Sequence, residues 1–170
     1  VERGHEVYLA TDTDAPFAYQ LRDAVRVKSL YPENFEEKPK FVRFVQLYAS
    51  IRRIAKEVQP DIIVSFTYVL NAKVLLATLG LRIPVIACER TTFNVRMSVL
   101  NKIRRLYMTR LADCLTVQTQ YDYNYLGKRF RQKVVMPNPL DFPLRYKKEV
   151  KEKIVLTVGA VDRWEDKGFG

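Results

Sequence analysis

With 170 residues, 48% of them hydrophobic, the chain has the apolar material for about one ordinary globular core and too much of it for a disordered segment. Lys and Arg number 29 against 19 Asp and Glu, a net charge of +10, so the surface should attract phosphates, acidic lipids or nucleic acid rather than basic partners. No apolar run reaches the roughly 18 residues of a membrane span, and Cys88 and Cys114 sit in separate strand-like runs without C-x-x-C spacing, as reduced, buried thiols of a cytosolic protein would.

In chain order, short β-branched runs alternate with longer amphipathic ones, a rhythm that predicts α/β architecture: a doubly wound parallel sheet covered by helices on both faces. His5 to Thr11 reads as a strand, followed by a turn containing Asp12 and Asp14. A weaker strand is expected at Ala24 to Val27, then a loop rich in proline and charge. Between Pro39 and Pro60 the residues Phe41, Phe44, Tyr48, Ile51, Ala55 and Val58 recur at three- and four-residue steps, placing them on one stripe of a long helix that Pro60 ends. Asp61 to Phe66 is nearly all apolar, as a central strand buried on both faces would be. A short helix from Asn71 to Leu79 should close at Gly80 in a left-handed cap, and Ile83 to Cys88 is the next strand.

Ser98 can cap a helix to about Ala112 with a broad apolar face made by Val99, Leu100, Ile103, Leu106, Tyr107 and Leu111. Ala112 to Gln118 and Lys133 to Met136 read as strands flanking a helix near Gln120 to Gly127. Pro137-Asn138-Pro139 then breaks the pattern, and a basic segment leads to a fresh strand at Ile154 to Val158. The expected organisation is one domain over 1–136, a linker over 137–152 and the start of a second domain over 153–170. Val1 in place of methionine, and an end at Phe169-Gly170 without cap or polar tail, suggest a piece of a longer chain.

Six segments in order resemble glycosyltransferase family 4: GHEV at Gly4 to Val7, QPDIIVSF at Gln59 to Phe66, IPVIACERT at Ile83 to Thr91, LADCLTVQT at Leu111 to Thr119, NPLD at Asn138 to Asp141, and VGAVDRWEDKGF at Val158 to Phe169. The resemblance implies a GT-B enzyme of two Rossmann-like domains. The visible one is the acceptor side, lacking its first strand and helix, and the donor side has just begun. It implies transfer of a sugar from a nucleotide-diphosphate donor to a hydroxyl of a glycan or lipid-linked acceptor, with retention, in bacterial surface polysaccharide or glycolipid synthesis. It also implies a fragment inactive alone, because most donor contacts and the opening glycine-rich loop lie outside it.

Ligands of doubly wound sheets sit beyond the carboxyl ends of the strands. Glu89, Arg90, Thr91 and Asn94 follow one strand, and Arg90 is expected to contact a phosphate or the acceptor with its planar donor fork, Glu89 to orient it or a sugar hydroxyl. The alternative is a structural ion pair fixing a loop. Phe66 and Thr67, with Tyr68, would supply an aromatic wall and hydroxyls beside that site. By resemblance Lys167 binds the donor diphosphate, and Arg163 stands in for the arginine that the family carries where this chain has Ala160. His5 reads as structural. One histidine and two separated cysteines provide no metal site, and no cofactor or metal is expected beyond the donor substrate.

Between Arg90 and Ala112 lie Arg96, Lys102, Arg104, Arg105 and Arg110 without an acidic residue. This basic surface would suit an anionic membrane on the inner face of the plasma membrane; a solvated face is the alternative. Two rivals accompany the transferase: a Rossmann dehydrogenase or sugar-nucleotide epimerase, needing an upstream G-x-G-x-x-G loop, and a basic nucleic-acid-binding protein, for which no motif is visible.

Overall fold

The computed structural model describes residues 3–13, 17, 20–94, 97–130 and 132–139. All of these but Pro139 belong to a compact unit that runs to Asn138. The segment from Ile154 onward, most of the expected linker, and Arg163 and Lys167 lie outside the described residues.

Among the described residues every strand pairing is parallel, in two separate sheets. Strand β1 (Val7–Thr11) pairs β2 (Val25–Ser29) with Val7 opposite Val25. The larger sheet has the order β3 (Ile63–Phe66), β4 (Val85–Cys88), β5 (Cys114–Val117) and β6 (Lys133–Val135). Its helices are α1 (Lys40–Val58) before β3, α2 (Tyr68–Ala77) between β3 and β4, α3 (Val99–Thr109) between β4 and β5, and α4 (Gln120–Leu126) before β6. Strands β3, β4 and β5 of this sheet each hand the chain to a helix at the same, carboxyl edge, which is where a site can be assembled from several loops.

Burial corrects two expectations. The β3 run, expected inside the sheet, is an edge strand of the four, and Ile62, Val64 and Phe66 on one of its faces are about half exposed. Its apolar alternation marks a surface uncovered by the described helices rather than a strand buried twice over. On α1 the buried stripe is Leu47, Ser50, Ile51, Ile54 and Ala55, packed with Leu30, Val74, Leu75 and Val85, so the contact begins only at the second turn. Phe41 is 77% exposed, and Phe44 leans on Tyr48 with ring centroids 4.4 Å apart.

The chain's punctuation follows local sterics. Gln59 adopts φ +46° as the left-handed cap of α1, returning its N–H to the Ala55 carbonyl at 3.0 Å, and Pro60 forbids another turn. Helix α2 starts at Tyr68, three residues before expected, and Gly80 has the left-handed φ of +80° in the turn beyond it. Ser98 caps α3 as expected, its hydroxyl accepting from the Asn101 N–H at 3.3 Å. A second small core holds Ala87, Phe93, Leu115, Val117, Leu126 and Phe130, locking α4 and the loop after β4 onto β5.

Candidate functional site

The loop after β4 is built around a buried ion pair. The Glu89 N–H still donates to the Thr116 carbonyl at 2.9 Å, extending the parallel ladder by one residue and fixing where the side chain starts. Glu89 is 2% exposed and Arg105, two turns into α3, is 3% exposed. Arg105 donates to Glu89 Oε2 from Nε at 3.0 Å and from Nη2 at 2.6 Å. The same guanidinium donates to the carbonyls of Thr91 at 2.5 Å and Thr92 at 3.0 Å. It lies 3.8 Å from the centroid of the Phe93 ring and 5.3 Å from that of Tyr68. One cation thus fixes the first four residues of the loop against two aromatic faces.

Asn71 of α2 completes the carboxylate's shell, donating from Nδ2 to Glu89 Oε1 at 3.1 Å and to the Cys88 carbonyl at 3.2 Å. Its Oδ1, also buried, has no hydrogen-bond donor among the described residues. Burial pushes the Glu89 carboxyl above its ordinary value, and the attraction of Arg105 and the hydrogen bonds from Arg105 and Asn71 only partly offset it. Such a pair is costly to desolvate and worse to break.

Asp122 of α4 braces the far end of the loop. Its Oδ1 accepts the Thr92 hydroxyl at 2.7 Å and the Phe93 N–H at 2.9 Å, while Oδ2 accepts the Thr119 hydroxyl at 2.8 Å. Thr119, the α4 N-cap, accepts in turn from the Asp122 N–H at 3.1 Å. Burial raises the Asp122 carboxyl, but the Phe93 N–H, the two hydroxyls and the Arg105 charge outweigh it and hold it below its ordinary value.

On this frame stands Arg90, only partly buried. Its guanidinium carbon lies 5.2 Å from the Phe66 ring centroid, and Nη1 donates to Asn138 Oδ1. Phe66 and Arg90, which the sequence places 24 positions apart, meet because β3 and β4 are paired with Phe66 opposite Cys88. Thr67, the next residue, has φ +70° and ψ 142°, a region that β-branched side chains avoid. The turn is held by the Thr67 N–H on the Cys88 carbonyl at 3.0 Å and the Asn71 N–H on the Thr67 carbonyl at 2.8 Å.

The residues singled out from sequence therefore divide. Phe66, Thr67, Arg90 and Thr91 gather at the carboxyl edge of β3 and β4. Glu89 is beneath them rather than open to a ligand, and its ion pair is with Arg105, not Arg90. Asn94 is exposed and tied to α4 by its Nδ2 on the Tyr121 hydroxyl at 3.3 Å. The basic surface loses Arg105, whose charge is spent inside on Glu89 and two carbonyls; Lys102 is partly buried and Arg110 exposed. Arg96 and the Arg104 side chain lie outside the described residues. Sequence reasoning missed Asn138, Asn71, Asp122 and the role of Arg105. Asn138 had a signal, since it opens the NPLD segment, and Asp122 had one in the T-x-x-D spacing from Thr119.

A parallel α/β unit with an arginine, an aromatic ring and a strained turn at one carboxyl edge has the site placement of a nucleotide- or sugar-handling enzyme domain. The chain matches Glycosyltransferase Family 4 over residues 1–142 and belongs to that family. It is also 25% identical over 163 residues to a GalNAc-alpha-(1->4)-GalNAc-alpha-(1->3)-diNAcBac-PP-undecaprenol alpha-1,4-N-acetyl-D-galactosaminyltransferase of Campylobacter jejuni subsp. jejuni serotype O:2 (strain ATCC 700819 / NCTC 11168). That match covers 93% of this chain but 45% of the relative, so the chain spans less than half the length of the protein it resembles.

Proposed function

We propose that these residues form the acceptor side of a glycosyltransferase that moves a sugar from a nucleotide-diphosphate donor to a hydroxyl of a lipid-linked glycan, with retention, in bacterial surface glycan or glycolipid synthesis. The observation that carries the reading is Arg90 over Phe66, held by Asn138 on a loop that the buried Glu89–Arg105 pair fixes. A guanidinium so placed meets a phosphate or a sugar hydroxyl, and the Phe66 ring offers an apolar face for a sugar. The name of the Campylobacter relative specifies a diphosphate-linked undecaprenol acceptor, and an acceptor of that chemistry suits an arginine here.

Donor chemistry belongs to the segment with Lys167 and Arg163. Charge grows on the departing nucleoside diphosphate, and a lysine or arginine beside it stabilises that charge without a metal. The reaction takes place at the cytoplasmic face of a membrane, met by the basic residues Arg96, Lys102, Arg104 and Arg110. Family membership favours transfer over the dehydrogenase, epimerase and nucleic-acid readings.

The test uses the full-length protein with a diphosphate-linked acceptor and a panel of nucleotide sugars. Donor-dependent extension of the acceptor is expected, reduced at least about a hundredfold by Arg90→Ala at unchanged melting temperature. Turnover indifferent to Arg90 removes the acceptor role from this loop.

A further inference from the structure

The Arg90 guanidinium lies over the Phe66 ring, yet neither group is seated in the core: the ring is 46% exposed and Arg90 only partly buried. Phe66 ends β3 and Arg90 follows Glu89, so the short path between them runs through Thr67, Cys88 and Glu89. Asn71, the fourth residue of α2 and 0% exposed, touches all three. Its N–H donates to the Thr67 carbonyl at 2.8 Å, and its Nδ2 donates to the Cys88 carbonyl at 3.2 Å and to Glu89 Oε1 at 3.1 Å. Arg105 holds the other carboxylate oxygen and belongs to α3, so it restrains the loop but not the turn after β3.

This arrangement dictates the residue type. One amide nitrogen carries the two hydrogens that the Cys88 carbonyl and Glu89 Oε1 accept, whereas a carboxylate has none and would set a second negative charge against Glu89. Rotating the amide by half a turn would bring Oδ1 against those same two acceptors, so the neighbours fix its orientation. Oδ1 is consequently left buried without a donor among the described residues, a loss of stability that an apolar side chain of similar volume would not incur. Thr67 adds a second unfavourable feature, holding φ +70° without a side-chain cap bond to α2. Strain and an orphaned polar atom meeting at one turn mark a place whose geometry serves more than packing.

We infer that Asn71 is a positioning residue of the acceptor site, its amide setting the distance between the Phe66 ring and the Arg90 guanidinium by tying the first turn of α2 to the end of β4. Asn71 is itself too deeply buried to touch a ligand and acts through Thr67 on one side and through Cys88 and Glu89 on the other. Without the tie the strained Thr67 turn relaxes, and Phe66, the residue before it, moves relative to Arg90. The effect on transfer rests on the acceptor reading above, whereas the tie does not.

Two variants of the full-length protein test this. Asn71→Leu keeps a similar volume without either donor, and Asn71→Ser, with one donor on a shorter side chain, serves if the first does not fold. In steady-state kinetics with a diphosphate-linked acceptor, either variant is expected to raise the acceptor KM about tenfold at unchanged donor KM. In an Arg90→Ala background the same substitution should change the acceptor KM by less than about twofold, because the effect runs through Arg90. Residue-resolved amide exchange should show the Thr67 N–H exchanging at least about tenfold faster in the variant, with Leu75 in the same helix unchanged. A folded variant with an unaltered acceptor KM overturns the inference. So does a rise that persists undiminished beside Arg90→Ala, which would assign Asn71 to general stability. Failure of the unaltered protein to extend the acceptor would count against the acceptor reading; Thr67 exchange then decides the tie alone, and equal rates in variant and unaltered protein overturn it.

Discussion

Arg90 stands on a loop and is only partly buried, and Thr67, the residue before α2, holds a backbone conformation that its side chain disfavours. Arg90 is held at one N–H by Asn138 and over one ring, which orients its donor fork without enclosing it. Arg90→Lys should therefore recover only part of the activity lost in Arg90→Ala, since an ammonium keeps the charge but not the planar fork. Steady-state kinetics on acceptor concentration will place the loss: a higher KM at constant kcat means a contact made equally in ground and transition states, and equal falls in kcat and kcat/KM mean one made only in the transition state. Thr67 stores strain. Glycine reaches φ +70° without penalty, so Thr67→Gly should stabilise the fold by about 1 kcal/mol, visible as a higher midpoint in urea, while lowering acceptor affinity through loss of the hydroxyl and of rigidity. A destabilised Thr67→Gly protein would mean that the turn is not strained.

At the scale of elements, the loop after β4 is suspended between α3 and α4 by two charged groups of opposite kind. Removing Arg105 leaves Glu89 buried without its cation, so Arg105→Ala should cost roughly 3–5 kcal/mol in denaturant unfolding, far more than Lys102→Ala on the same helix. The carboxylates impose opposite pH trends. Asp122 is held below its ordinary value of 3.8, so its contribution is present above that pH and is lost as pH falls through the lower folded value. Glu89 is raised above 4.5, so its contribution is present below that pH and is lost as pH rises through the higher folded value. Stability measured against pH should therefore lose part of its acid limb in Asp122→Asn, whereas Glu89→Gln should remove a component of opposite slope just above pH 4.5. Parallel curves for wild type and Asp122→Asn would show that the brace carries no charge-dependent stability.

The same elements show what sequence can and cannot convey. All six strands among the described residues were visible in the sequence, with ends differing by at most two residues, because parallel strands need apolar, β-branched stretches. Ser98, Pro60 and Gly80 marked turns of the chain by local sterics alone. The two-faced nature of α3 was also visible, but periodicity gives a stripe and not its direction, and Val99 and Leu100 look the same facing a core or facing out. Arg105 was indistinguishable from its neighbours for a related reason. Its partner Glu89 is 16 positions away across the β4–α3 crossover, a distance that no helix spacing encodes. On α1 the stripe holds from Tyr48 to Val58 but starts too early, since Phe41 and Phe44 match the period yet precede Leu47, where the core under the helix begins.

For the whole molecule, the proposed function divides the labour between the unit ending at Asn138 and the segment that follows. Among the described residues Arg90 is held by Phe66 and Asn138, and on the proposed reading its acceptor contact should not depend on the donor segment. If Lys167 grips the donor diphosphate, the two functions should separate at equilibrium and join in catalysis. Calorimetry on the full-length protein should then show Lys167→Ala weakening nucleoside diphosphate binding by about tenfold or more with acceptor affinity unchanged, and Arg90→Ala the reverse. The double variant should be additive for binding, as for sites without shared partners. It should be less than additive in kcat/KM, because one transition state spans both groups and a second loss removes little once the first has disrupted it. Nucleotide affinity indifferent to Lys167 would assign the diphosphate elsewhere, whereas acceptor affinity sensitive to Lys167 would mean that the acceptor pocket is completed by residues beyond Asn138.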